Sequence, residues 1–145
     1  MGTAAACSSS KGNDGATGSA ETSNFTGAAW TGTDVFTTIC NGATNTQTSS
    51  DSVTFVAEGA GVALAGGCTV DFSVSGDTAT LSNVPHCVQP YGDAGAEAFL
   101  YQGYTFTTTD GHNLTGADNG TLDFNTGANT AETDCTFSDV FTATR

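Results

Sequence analysis

The chain has 145 residues, and 15 Asp and Glu oppose 2 Lys and Arg, for a formal net charge of −13. Its only Lys and Arg, Lys11 and Arg145, are too few to neutralise a phosphate backbone or to hold an anionic membrane by charge. Nucleic-acid partners are excluded, ion pairs cannot carry the stability, and no apolar run is long enough to span a bilayer as a helix.

Met1 to Ala6 is a run of mostly small residues ending in Cys7, and Ser8 to Gly15 follows as a Ser/Gly-rich stretch with nothing to build a core. This start resembles that of bacterial lipoproteins, whose signal peptide is cut just before a lipid-modified cysteine. The resemblance implies that Cys7 is the lipid anchor and that the membrane is met only through that lipid. It also implies that residues 1–24 are signal-peptide remnant and flexible tether, and that 25–145 form an extracytoplasmic domain at a bacterial membrane or cell surface.

From about Phe25 the pattern has period two. Val53, Phe55 and Ala57 alternate with polar or outward positions, as do Val70, Phe72 and Val74, then Ala79 and Leu81, then Leu122 and Phe124. One apolar and one polar face describe antiparallel strands with one side wet. The spacing predicts eight strands, near 28–40, 51–58, 61–74, 77–83, 97–109, 112–117, 120–126 and 135–144. Turns are expected at Ser75-Gly76, Asp110-Gly111 and Asn119-Gly120. Gly66-Gly67 predicts a break in the third strand. Gly103 predicts another in the fifth, where the apolar phase shifts from Phe99/Tyr101 to Tyr104/Phe106. A short helical turn capped by Asp93 is expected within 91–98.

Eight consecutive antiparallel strands hide their edges by closing into an up-and-down barrel; an open β-sandwich is the alternative. Setting Cys7 aside leaves four cysteines, an even number that reads as two disulfides in an oxidising compartment. In the barrel Cys40 ends the first strand and Cys135 begins the last, so both lie at one end. Cys68 and Cys87 fall together near the other. The expected pairing is Cys40–Cys135 and Cys68–Cys87.

A Cys40–Cys135 bridge sets the register of the first and last strands. Thr38 meets Phe137, Phe36 meets Asp139, Asp34 meets Phe141, Gly32 meets Ala143, and Trp30 meets Arg145. That face holds the aromatics and points inward; Thr31, Thr33, Val35 and Thr37 point out with Thr136, Ser138, Val140 and Thr142. A Trp on the first strand covered by an Arg from the last resembles the lipocalin (calycin) superfamily, although its Gly-x-Trp is absent and Gly27 lies three residues before Trp30. The resemblance implies a barrel that binds a small, partly apolar ligand. Candidate liners are Phe36, Phe55, Phe72, Tyr104, Phe106, Phe124 and Phe141.

Asp34 and Asp139 face inward in the same register, diagonal across the seam. Two carboxylates among aromatic rings need partners: a cation, a polar ligand or a shared proton, unless a bulge or a solvated rim takes them out. No nucleophile–base pair, zinc motif or cofactor signature accompanies them, so the expectation is a non-enzymatic binding protein. The other reading is a structural or interaction module of the cell envelope, its barrel filled by the nine Phe. Asp118-Asn119-Gly120 with Asp123 lacks the spacing of a calcium loop.

Overall fold

The computed structural model describes residues 20–66, 68–83, 85–91, 95–125 and 131–145. After a helical turn, α1 (Ala20–Ser23), come ten strands: β1 (Trp30–Cys40), β2 (Ala43–Val53), β3 (Phe55–Glu58), β4 (Gly61–Leu64), β5 (Asp71–Ser75), β6 (Thr78–Leu81), β7 (His86–Tyr91), β8 (Gly95–Thr107), β9 (Asn113–Asn125) and β10 (Ala131–Thr144). They form one curled antiparallel sheet in the order β2-β1-β10-β9-β8-β6-β5-β4-β3, with β7 beside β8. Only Thr54 separates β2 from β3, so one extended run supplies both ends of the path. Counting that run once, eight segments follow each other around the curl in chain order.

The β1–β10 ladder has the register expected from the cysteines: Thr38 opposite Phe137, Phe36 opposite Asp139, Asp34 opposite Phe141 and Gly32 opposite Ala143. Both disulfides have the expected partners, Cys40–Cys135 with Cα atoms 4.3 Å apart and Cys68–Cys87 at 5.6 Å. The second bridge is not at the opposite end of the curl. Cys87 lies opposite Phe99, on the half of β8 nearer Cys135, because β7 inserts there. Two disulfides belong to an oxidising, extracytoplasmic environment.

Several boundaries differ from expectation. The expected strands leave 41–50 between them, a stretch of mostly Thr, Ser, Asn and Gln; β2 fills most of that gap and pairs with β1 over its whole length. Asn41 and Gly42, with φ of 49° and 78°, make the two-residue turn with positive φ at both positions that suits a twisted hairpin. Asn119-Gly120 is no turn. Asn119 pairs with Ser138 and Gly103 inside a continuous β9, since period-two alternation runs unbroken from Leu114 to Leu122 and both neighbours offer full ladders. The expected third strand is two antiparallel strands, β4 and β5, with Val62 opposite Phe72. The Gly103 shift occurs, between Tyr101 and Gly103. Of the span expected to hold a helical turn, Tyr91 ends β7 and 95–98 belong to β8; 92–94, with Asp93, lie outside the described residues.

Apolar residues gather in two clusters. The larger, at the Trp30 end, joins Phe25, Trp30, Phe55, Val62, Val70, Phe72, Phe106, Leu114 and Phe141. The smaller, at the Cys135 end, joins Phe99, Leu122, Cys135 and Phe137, with Phe36 and Tyr101 against it. The short strands β3–β6 serve the first cluster, since β6 meets β8 only from Thr105 to Thr107. Thr22, within the segment expected as tether, is buried, as is Phe25 at the start of the expected domain. Cys7 lies outside the described residues.

Candidate functional site

The ladders stack the inward side chains in layers. At the closed end Arg145 lies over Trp30, its Cζ 4.1 Å from the ring centroid. The guanidinium donates to the carbonyls of Gly111 (2.9 Å), Phe25 (3.2 Å), Thr26 (2.7 Å) and Asn24 (2.9 Å), and the Trp30 indole N–H donates to Phe25 (2.9 Å). Every polar group here has a partner from the chain itself. Above it Phe55, Phe72 and Phe106 pack edge to face, with centroids 4.9–6.1 Å apart. Gly116 leaves room for the Phe106 ring, which a Cβ there would meet at 2.5 Å. Four expected ligand contacts, Phe55, Phe72, Phe106 and Phe141, are thus buried filling. The side chain of Phe124 lies outside the described residues.

The next layer differs. Asp139 on β10 stands opposite Asp118 on β9, and Asp118 stands opposite Tyr104 on β8. Asp34 on β1 is diagonal to Asp139, two positions from its partner Phe36. Three carboxylates and a phenol therefore share one belt, with no cation among them. Asp118 is only 7% exposed. Tyr104 hydrogen-bonds to Asp118, and the Asp34 and Asp139 carboxyls hydrogen-bond to each other. One oxygen on each of Asp118 and Asp139, Oδ1, is buried without any hydrogen-bond partner.

The titration of these groups follows from that environment. Burial, with the charge of Asp34 second, pushes Asp118 up to about 7 against the pull of the Tyr104 hydroxyl. Burial also raises Asp139, to about 8, helped by the hydrogen bond with Asp34 and by the charges of Asp118 and Asp34. Desolvation and then Asp118 push the Tyr104 phenol far up. Tyr101 rises to about 12 for the same reasons.

Above the belt, Phe36, Phe99, Tyr101 and Phe137 form an aromatic wall. Phe36 stacks on Phe137 at 5.8 Å, Tyr101 meets Phe137 edge-on at 5.4 Å and stacks on Tyr104 at 5.3 Å. Phe36 and Tyr101 are half-buried, and β2, next to Phe36, is exposed on both faces. Of the expected site residues, the structure brings together Asp34, Asp139, Phe36 and Tyr104. It adds Tyr101, stacked on Tyr104, and Asp118, which the expected Asn119-Gly120 turn leaves off a strand; the unbroken alternation Leu114, Gly116, Asp118, Gly120, Leu122 is the signal for Asp118. Clefts of about 330 Å³ by Glu58, Asp71 and Ser73, and about 310 Å³ over Thr31, Thr115 and Thr142, contain none of these groups. Among the described residues no group of three or more His, Cys, Asp or Glu is placed to hold a metal ion.

No protein family, curated protein or solved structure matches the chain.

Proposed function

We propose that the protein is a binding protein whose ligand is small, part aromatic or aliphatic, and carries a hydrogen-bond-donating cationic group such as an ammonium. The carrying observation is the pair of buried, unpartnered carboxylate oxygens on Asp118 and Asp139. An unsatisfied buried acceptor costs about 1–3 kcal/mol, more when charged, and an ammonium would satisfy both while resting on the rings of Phe36 and Tyr101. Asp34, Asp118 and Asp139 are the polar handles, and Phe36, Tyr101 and Tyr104 the apolar ones. The lipid on Cys7 and the lipocalin-like character belong to the same proposal: a lipid-anchored extracytoplasmic binder without catalytic chemistry.

Proton linkage gives the test. A cation binds the ionised carboxylates, so its affinity rises as pH passes the Asp118 and Asp139 values of about 7 and 8. Tyramine is expected to raise the melting temperature more above that range than below it, while 4-ethylphenol, which lacks the ammonium, does not. Asp118→Asn is expected to abolish the effect. Equal stabilisation by both compounds, or by neither, refutes the reading.

A second reading has its own support. The Phe55–Phe72–Phe106 packing fills the closed half, as in an envelope interaction module with no internal ligand. Native mass spectrometry of protein from its own host separates the two by retained ligand mass.

A further inference from the structure

β2 is an edge strand of eleven residues with an unbroken ladder to β1. Edge strands usually discourage pairing through Lys, Pro, bulges or a covering segment. β2 holds no Lys, Arg or Pro, its register to β1 has no bulge, and Ala43–Ser52 is exposed. Among the described residues no strand pairs with its other edge.

Backbone parity says which groups that edge offers. In the Asn41-Gly42 turn, Cys40 and Ala43 form a hydrogen-bonded pair. Odd-numbered residues of β2 therefore turn their backbone groups to β1, and even-numbered residues turn theirs outward. The next even residue, Thr54, follows the rule, its carbonyl accepting from Ala65 beside β4 at 2.8 Å. Above it, the Ser52 N–H is taken by the Asp51 carboxylate at 2.7 Å. The open row is then Thr44, Thr46, Thr48 and Ser50, four donors and four acceptors centred on Gln47.

We infer that this row pairs with the β2 strand of a second copy, antiparallel, about a two-fold axis at Gln47. Thr44 then exchanges hydrogen bonds with Ser50 of the other copy, and Thr46 with Thr48, so every N–H and C=O of that four-residue row is satisfied reciprocally. This register ends before Ser52, clear of β4, and sets Asp51 against Ala43, away from its own copy. Charge leaves this edge open to the same occupant. The chain carries −13 overall, so two copies can meet closely only along a surface without acids, and residues 43–50 contain none. The pairing is isologous, as closed dimers require, and it is independent of the ligand proposed above.

The test uses the full chain in a Cys7→Ser background. Sedimentation velocity is expected to show a concentration-dependent dimer that strengthens with ionic strength, because salt screens the mutual repulsion. Gln47→Cys is expected to give a disulfide-linked dimer on mild oxidation, since residues facing across the axis lie about 4.5 Å apart at Cα. Thr48→Pro removes an outward donor from each copy while leaving the ladder to β1 intact; it is expected to weaken the dimer roughly tenfold. Circular dichroism checks that both variants are folded. A monomer at all concentrations overturns the inference, including one whose edge is covered by residues 1–19. So does a dimer that ignores Thr48→Pro and leaves Gln47→Cys uncross-linked, which would place the contact elsewhere.

Discussion

The two halves of the curl solve the same problem differently. At the Trp30 end the chain supplies every partner: rings fill the volume, Arg145 satisfies four carbonyls, and short strands wrap the contents. At the Cys135 end the long strands enclose a smaller cluster. Three carboxylates sit inward, two of their oxygens unpartnered; the Cys40–Cys135 disulfide lies in a small cluster, and Cys68–Cys87 ties that cluster to the larger one. The contrast separates a half held by packing from a half whose inward polar groups are not all matched. Where the core is large, packing holds the fold; where it is thin, covalent bonds do, and the polar groups left unmatched are available to something else.

The comparison breaks first if the disulfide does not hold the thin half. Changing Cys40 and Cys135 together to Ser is expected to cost about 4–5 kcal/mol, since the bridge spans 95 residues. Urea denaturation would measure it, and hydrogen exchange should show the loss concentrated in β1, β10 and the upper part of β9. Phe55→Ala tests the filled half. With Phe55 2% exposed and touching Phe25, Phe72 and Phe106, the expected loss is about 3–5 kcal/mol, with no change in tyramine response.

Arg145→Ala sharpens the picture of the closed end. It is expected to cost about 2 kcal/mol through lost charged hydrogen bonds and ring stacking, and to shift Trp30 fluorescence as water reaches the indole. Asp118→Asn has the opposite sign. It should stabilise the protein by about 1–3 kcal/mol at neutral pH, because it removes a buried charge yet keeps an acceptor for Tyr104.

The same carboxylates set the pH dependence. Folded Asp118 and Asp139 hold their protons more tightly than the unfolded chain, whose value is 3.8. Their stabilising effect is therefore full below that value and is lost as pH rises through about 7 and 8. Melting temperatures should fall across that window in the wild type and fall less in Asp118→Asn.

Much of the seam was legible in the residues. Alternation assigns Trp30, Asp34, Phe36, Asp139 and Phe141 to one face, and two cysteines near strand ends place those faces opposite each other in one register. Asp118 was not legible, because Asn119-Gly120 has the composition of a turn, and local composition does not reveal that two long neighbours will keep a ladder running through it. β2 was hidden for a related reason. Its residues lack the apolar half of the alternation, since neither of its faces is buried, and only Asn41-Gly42 marked the hairpin.

What the amino-acid order determined alone was local and periodic: strand phase, the turns at Gly76 and Gly111, disulfide partners, and the oxidising environment they require. Tertiary structure decided which inward layer is filled and which is not. Whether a carboxylate is buried without a partner depends on three strands meeting at one height, and no single segment carries that information.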